Sequence, residues 1–252
     1  MDISLHIGIN KYQPAFYGTG NNLNECVNDA IKMHEYAVSR GFAALMVTDY
    51  NATLKEFAAF MSDAAKNLKK GDRLFITNST HGTFQESFTP SGVRIQSNAI
   101  CFTDGILWDY ELRELLKKFK SGVSVIKMSD CCFAESNWRF LRHDGELYNG
   151  AKARVVRLPN AAKPPKVTQG DKRQIKAFYY DYASSNAFQP SYEDQRGGVF
   201  TNAVLTALKR EPELSYHQLW RRASANIGNN YPQSPVFENV RAAKFTGKKF
   251  LT

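Results

Sequence analysis

The sequence predicts an α/β fold in which helices cover both faces of a mostly parallel sheet, giving a three-layer αβα sandwich. Short apolar runs rich in β-branched residues alternate along the chain with longer amphipathic helical patterns. Such an alternation builds parallel strands joined by right-handed crossovers. The chain has no internal repeat and no sign of a second core, so we expect residues 1–252 to form a single domain.

The predicted elements have recognisable start and stop signals. Thr53 and Glu56 form a capping box before one helix, and Gly41 and Gly71 follow two helical patterns. A polar stretch from Thr83 to Asn98 resembles a hairpin. Strands are predicted at 3–9, 43–48, 74–77, 123–128 and 176–183, and helices at 24–40, 54–68, 109–119, 198–209 and 215–227.

Composition excludes several classes of protein. The chain is 43% hydrophobic and 23% charged, and no apolar run approaches the ~18 residues that a membrane helix needs. The first residues show neither a basic region nor a cleavage site, so we expect a cytoplasmic protein. Four cysteines without a C-x-x-C spacing favour reduced thiols over a disulfide framework or a zinc site. We also expect a monomer.

The net charge of +9 is concentrated in one segment. Residues 151–176 hold eight Lys or Arg residues, one acid and three prolines, without apolar periodicity. We therefore predict a basic internal loop at 144–176, either simply solvated or open to proteolysis. A nucleic-acid patch is the least favoured alternative because interleaved aromatic residues are lacking. The glycines of Gly18-Thr-Gly20 lack the spacing of a nucleotide-binding loop.

Two reactive residues follow neighbouring strand-like runs. His81 comes just after the run that begins at Arg73, and Cys132 just after the run that begins at Val123. In an open parallel sheet the carboxyl ends of the strands form the usual site edge. A thiolate is the reactive form of cysteine, and an imidazole is the usual base that generates it. This pairing predicts a cysteine hydrolase.

Eight short motifs follow one another in order over nearly the whole chain. They are His6-Ile-Gly-Ile-Asn10, Cys26-Val-Asn-Asp29, Ser79-Thr-His-Gly82, Ile100-Cys-Phe-Thr-Asp104, Asp109-Tyr-Glu-Leu112, Asp130-Cys-Cys132, Ala183-Ser-Ser185 and Gly198-Val-Phe-Thr201. In this order they resemble the motifs of caspase-fold cysteine peptidases, specifically the metacaspase-like (orthocaspase) group. The resemblance implies a mostly parallel six-stranded sheet, and it makes the 144–176 loop the linker between a p20-like and a p10-like part of the domain.

The resemblance assigns roles to the matched residues. His81 and Cys132 would be the catalytic dyad, and the backbone N–H groups of Gly82 and Cys132 would form the oxyanion hole. Alternation along a strand also favours Cys132 over Cys131, because neighbours point to opposite faces.

The resemblance also implies a pocket for the P1 residue, the one whose carbonyl is attacked. Asp29, Ser79 and Asp130 would line it. Two carboxylates suit an arginine or lysine side chain. We therefore expect an endopeptidase acting on peptides or proteins with a basic P1 residue. Self-cleavage in the 144–176 loop is a further expectation.

No cofactor is expected to be required, but the resemblance makes calcium a possible ligand through Asp104 and Asp109. Calcium needs six to eight oxygens, and Tyr110 replaces one carboxylate of the family pattern, with Glu111 and Glu135 as the nearest substitutes. Helix capping explains Asp109 equally well. The chain also departs from the family at Thr80 and at 133–135. A catalytically silent caspase-like scaffold or partner-binding domain is the alternative function.

Overall fold

A computed structural model describes residues 1–88, 94–132, 147–148, 151–156, 172–186 and 189–251. Its helices are α1 (Pro14–Tyr17), α2 (Cys26–Ser39), α3 (Leu54–Asn67), α4 (Asp109–Lys117), α5 (Val199–Arg210) and α6 (Tyr216–Ile227). Its strands are β1 (Asp2–Gly8), β2 (Ala43–Thr48), β3 (Arg73–Ser79), β4 (Gly82–Phe88), β5 (Arg94–Phe102), β6 (Gly105–Trp108), β7 (Ser124–Asp130), β8 (Leu147–Tyr148), β9 (Ala151–Ala153), β10 (Phe178–Ala183), β11 (Tyr192–Asp194), β12 (Gly197–Gly198) and β13 (Val236–Val240).

A six-stranded sheet lies at the centre, in the order β13-β10-β7-β3-β1-β2. All neighbours are parallel except β13, which runs antiparallel to β10. Helices α3 and α4 pack in an apolar cluster on one face, and α2, α5 and α6 pack in a second cluster on the other. The predicted αβα sandwich and the mostly parallel six-stranded sheet are confirmed.

The burial of both faces of the central strands explains why their sequences are continuous apolar runs. In β3, Leu74 and Ile76 belong to one cluster while Phe75 belongs to the other. A strand covered by helices on both faces needs apolar residues at successive positions. Polar residues come at the carboxyl end of β3, at Thr77, Asn78 and Ser79.

Two smaller sheets complete the described architecture. The predicted hairpin is present as β4 and β5, and β6 extends it to three antiparallel strands. The order β12-β11-β9-β8 forms a four-stranded sheet beside the edge where the central strands end. At the start of α3, the Thr53 hydroxyl accepts the N–H of Glu56 at 3.1 Å, as the capping box predicts.

The prediction of an exposed loop at 144–176 is wrong for part of that segment. β8 and β9 lie within it, and Ala151, Ala153, Arg154 and Val156 are all buried. The error has a physical cause, because the partners that bury this charge lie far away in the sequence. Residues 157–171 lie outside the described part of the chain, as do most positions of 133–150.

The described residues contain no helix with the length and apolarity to cross a bilayer. All four cysteines are free and buried.

His6 on β1 gives the fold a predictable sensitivity to acid. Its ring lies buried between Thr77 Oγ1 at 2.8 Å and Ser4 Oγ at 2.9 Å. Burial and, to a smaller extent, the neighbouring His34 together lower the pKa of His6 from 6.5 to about 3. The unfolded chain therefore binds a proton below pH 6.5 that the folded chain does not.

Acidification should therefore lower the free energy of unfolding, since stability is lost where the unfolded state binds more protons. Between pH 7.5 and pH 5, His6 should account for about 2 kcal/mol of that loss, at about 1.4 kcal/mol per pH unit below 6.5. Urea unfolding of wild type and His6→Asn at both pH values measures it. An equal loss in the two proteins would show that His6 is not responsible.

Candidate active site

The central sheet brings His81 and Cys132 to one edge. β3 and β7 are adjacent and parallel, and Ser79 lies opposite Asp130 in their register. His81 comes two residues after Ser79, and Cys132 comes two residues after Asp130. The two candidate reactive residues therefore leave the sheet side by side, as the strand-end argument expects.

The three predicted pocket residues also come together and are buried. Asp29 reaches the pocket from α2, and Ser79 donates to its carboxylate at 2.7 Å. Asp130 accepts hydrogen bonds from the Ser191 hydroxyl at 2.6 Å and from the Thr201 hydroxyl at 2.8 Å. Burial raises the pKa of Asp29.

The pocket contains a side chain of the chain itself, that of Arg154. This residue is completely buried. Its Nη2 lies 2.7 Å from Asp29 Oδ2, and its Nη1 lies 3.4 Å from Asp130 Oδ1. Nη1 also donates to Ser79 Oγ at 2.6 Å and to the Asp130 carbonyl at 3.0 Å. The guanidinium contacts all three residues that the sequence assigned to the pocket.

Glu193 on β11 is a third carboxylate in this pocket, which the sequence analysis missed. Its Oε2 lies 3.4 Å from Arg154 Nη2. The N–H groups of Asn24 and Glu25, just before the first residue of α2, donate to its carboxylate at 3.1 and 3.3 Å. A helix N-terminus favours a negative charge, so this position keeps the carboxylate fixed toward the pocket.

The backbone around Arg154 is held as closely as its side chain. Its carbonyl oxygen accepts the N–H of Gly82 at 3.0 Å and that of Cys132 at 3.4 Å. These are the two donors assigned to the oxyanion hole. Its N–H donates to the Ser191 carbonyl at 2.8 Å, and the N–H of Val156 donates to the Gly82 carbonyl at 3.2 Å. We call residues 151–156 the docked segment.

Two glycines allow this close approach. A Cβ on Gly82 would overlap the carbonyl oxygen of Cys132. A Cβ on Gly198 would enter the pocket between Asp130 and the Arg154 guanidinium. Gly198 also donates its N–H to both oxygens of Asp29 at 3.0 Å. Glycine at these two positions leaves the space that the neighbouring groups occupy. Gly198 belongs to a motif that the sequence analysis recognised without giving it a role.

The surroundings of His81 fix which ring nitrogen can act as a base. Nε2 lies 2.7 Å from the backbone carbonyl of Asn21. A carbonyl only accepts, so Nε2 carries the proton and Nδ1 keeps the free electron pair. Nδ1 is buried and has no hydrogen-bond partner among the described residues. Burial lowers the pKa of His81 to about 4.

Cys132 is held as a neutral thiol in this arrangement. Its side chain is fully buried, and Sγ accepts the N–H of Ser191 at 3.1 Å. Burial raises the pKa of the Cys132 thiol well above its ordinary value. No hydrogen bond joins it to His81 among the contacts of the described residues. Both members of the candidate dyad are therefore uncharged while the docked segment is in place.

The residues considered for calcium have other uses here. Asp104 accepts the N–H of Leu54 at the start of α3 at 2.8 Å. Asp109 is the first residue of α4 and accepts the N–H of Tyr110 at 2.7 Å. In the described part of the chain, no three His, Cys, Asp or Glu side chains form a group that could hold a metal ion. Asp104 and Asp109 thus have structural roles at the starts of two helices, and Glu135 lies outside the described residues.

Fold and site together have the organisation of a caspase-like peptidase domain. A model of the caspase domain of peptidase family C14 matches residues 1–246. The chain therefore belongs to the caspase-domain family, which confirms the resemblance drawn from its motifs.

Relatives agree with this assignment. The chain is 30% identical over 174 residues to metacaspase-7 of Arabidopsis thaliana, covering 60% of this chain and 37% of that protein. It is 27% identical over 159 residues to metacaspase-1 of Plasmodium falciparum, covering 53% and 24%. The chain thus spans less than half the length of these curated relatives.

A solved structure is similar over the whole chain. The crystal structure of the Geobacter sulfurreducens protein GSU0716 superposes with a TM-score of 0.80 at 26% identity. The similarity covers 100% of this chain and 98% of that one. The two proteins thus share one fold through both halves of the sequence.

The occluded site leads to a prediction about thiol reactivity. All four thiols are buried, so none should react quickly with a disulfide reagent in native wild type. Arg154→Ala removes the side chain that holds the docked segment, and one thiol should then react rapidly. Stopped-flow thiol titration measures the change.

Two variants make this titration specific. Arg196→Ala is the matched control, because Arg196 is 79% exposed and pairs only with Asp194 among the described ion pairs. It should behave as wild type. Adding Cys132→Ala to Arg154→Ala should remove the fast phase, and a fast phase that persists would mean that another cysteine is exposed.

Proposed function

We propose that this chain is a cysteine endopeptidase that cleaves peptide bonds after arginine or lysine. One observation carries the proposal: Arg154 lies among three carboxylates while its carbonyl oxygen faces two backbone N–H groups beside Cys132. A substrate arginine placed the same way would present its scissile carbonyl to the thiol. Orientation of this kind supplies much of an enzyme's rate enhancement.

The proposed chemistry uses the dyad in sequence. His81 Nδ1 takes the proton of the Cys132 thiol, and Sγ attacks the carbonyl carbon of the P1 residue. The N–H groups of Gly82 and Cys132 hold the oxyanion, and one such donor is typically worth roughly 3–4 kcal/mol of barrier. His81 then protonates the leaving amine. Water hydrolyses the remaining thioester and regenerates the thiol.

The pocket supports a basic P1 residue and opposes an acidic one. Asp29, Asp130 and Glu193 surround the guanidinium, and Ser79 adds a hydroxyl acceptor. A buried carboxylate without a cation is strongly disfavoured, so a P1 aspartate would place a fourth negative charge there. The two-pronged contacts through Nη1 and Nη2 favour arginine over lysine, which offers one point charge.

The docked segment makes the described state latent. Its arginine fills the P1 pocket, and the thiol and imidazole are both neutral and buried. An external substrate must displace Arg154 before it can bind. The buried dyad is also the observation that favours a silent scaffold, whose docked segment would never leave or be cut.

Four expectations from the sequence stay predictions. They are that the protein is cytoplasmic, that it is a monomer, that it binds no nucleic acid and that it needs no cofactor.

A panel of fluorogenic peptides tests the specificity. Peptides with P1 Arg should be cleaved fastest, P1 Lys more slowly and P1 Asp not at all. Cys132→Ala and His81→Ala should be inactive. In the Arg154→Ala chain, where no internal arginine competes, Glu193→Gln keeps the shape of the pocket but removes one charge, so it should lower kcat/KM for P1 Arg by about tenfold or more, the cost of a weakened buried pair. Turnover of P1 Asp, or activity in Cys132→Ala, would contradict the proposal.

Self-cleavage distinguishes the peptidase from a silent scaffold. The carbonyl of Arg154 is the one that faces the oxyanion donors, so slow cutting is expected between Arg154 and Val155. Mass spectrometry of aged protein should find fragments 1–154 and 155–252. Cys132→Ala and Arg154→Gln should stay intact, whereas Lys152→Gln should be cut as wild type, since Lys152 lies outside the pocket. Permanently intact wild type, with no peptide turnover, would support the scaffold.

A further inference from the structure

The docked segment presents more than an arginine to the site. β9 pairs antiparallel with β11, with Ala153 opposite Tyr192 and Lys152 opposite Glu193. Together with the bond from the Arg154 N–H to Ser191, this adds an extended strand to the edge of β11. Adding a strand to a sheet edge is a common mode of peptide recognition, in which alternate side chains enter pockets. Residues 151–154 thus occupy the positions P4 to P1.

Two of these positions are closed around small side chains. Ala153, at P2, is 2% exposed, and Ala151, at P4, is 0% exposed. Both belong to the apolar cluster on the α2, α5 and α6 face of the sheet, together with Tyr192. Protein interiors are close-packed, and larger side chains in such places force neighbours to move.

The position between them is different. Lys152, at P3, is only partly buried. Its Nζ reaches the backbone carbonyl of Asn22 at the surface. A long polar side chain is accommodated there without a closed wall. The site thus alternates between enclosed and open positions along the bound strand.

We infer that this site selects small residues at P2 and P4 in addition to a basic P1 residue, and leaves P3 unrestricted. The substrates are exposed extended segments of the form small-any-small-Arg. This inference rests on the proposed function, and it adds a requirement that the P1 pocket alone does not impose. The alanines of the docked segment satisfy that requirement in the chain itself.

Peptide turnover by the 252-residue chain carrying Arg154→Ala tests the inference. The reference peptide is Ala-Lys-Ala-Arg-Val-Val, and three relatives carry Phe at P2, Phe at P4 or Gln at P3. Phe at P2 or P4 should lower kcat/KM by about tenfold or more, as expected from overpacking. Gln at P3 should change it by less than about threefold. Equal turnover of the Ala and Phe peptides would overturn the inference.

Binding separates this inference from the proposed chemistry. Calorimetry of the same peptides with the Cys132→Ala/Arg154→Ala chain should give the same order of affinities. If the peptides bind with affinities in the predicted order but none is cleaved, the proposed endopeptidase activity is overturned and the inferred subsites stand. Turnover without discrimination would overturn the subsites and keep the endopeptidase. Binding of none of the peptides, with no turnover, would overturn both.

A matched pair of substitutions tests the same enclosure inside the chain. Ala153→Phe should unseat the docked segment and make Cys132 react with thiol reagents about as fast as in Arg154→Ala. Lys152→Gln should leave the thiol protected. An unchanged thiol rate in folded Ala153→Phe would show that P2 accepts a large side chain and would count against the inference.

Discussion

The buried ion cluster around Arg154 is the interaction on which the site depends. Its guanidinium joins Asp29 on α2, Asp130 at the end of β7 and Glu193 on β11. Each carboxylate also accepts hydrogen bonds from other groups, so the cluster is connected to three separate elements. Removing one partner from such a cluster leaves charge buried without compensation, which typically costs about 3–5 kcal/mol. A cation in this pocket therefore stabilises the fold, whether it comes from Arg154 or from a bound peptide.

This requirement links recognition to restraint. Under the proposed function, the carboxylates that would bind a substrate arginine already hold Arg154, and the N–H groups that would bind an oxyanion already hold its carbonyl oxygen. An external substrate finds a competent site only in the fraction of molecules whose docked segment has left. The apparent affinity of the substrate is the intrinsic affinity multiplied by that fraction. The neutral thiol and imidazole add a second restraint, because the thiolate is the reactive form of cysteine.

The positions of His81 and Cys132 could be predicted because they depend on short stretches of sequence next to each residue. β-branched runs end at Ser79 and Asp130, and parallel neighbours must deliver His81 and Cys132 to one edge. Asp29 was found only through the resemblance to a family, since nothing around it in the sequence indicates a buried carboxylate. The fold class followed from the alternation of strand and helix patterns, which is equally local.

Other features could not be predicted because they depend on contacts between distant residues or on backbone atoms. Arg154 stands in a basic segment that composition alone assigns to solvent, and only the three distant acids explain its burial. Glu193 follows Tyr192 in a strand of three residues, and nothing in so short a segment indicates that its carboxylate is buried. The Asn21 carbonyl, which sets the tautomer of His81, is a backbone group that any residue could supply.

The most direct test of the account is the affinity of an arginine peptide for the site with and without Arg154. Acetyl-Ala-Lys-Ala-Arg-amide should be titrated calorimetrically into Cys132→Ala and into Cys132→Ala/Arg154→Ala. If Arg154 occupies the P1 pocket, the double variant should bind at least about tenfold more tightly, because no internal arginine competes. Equal affinities in the two folded proteins would contradict the account.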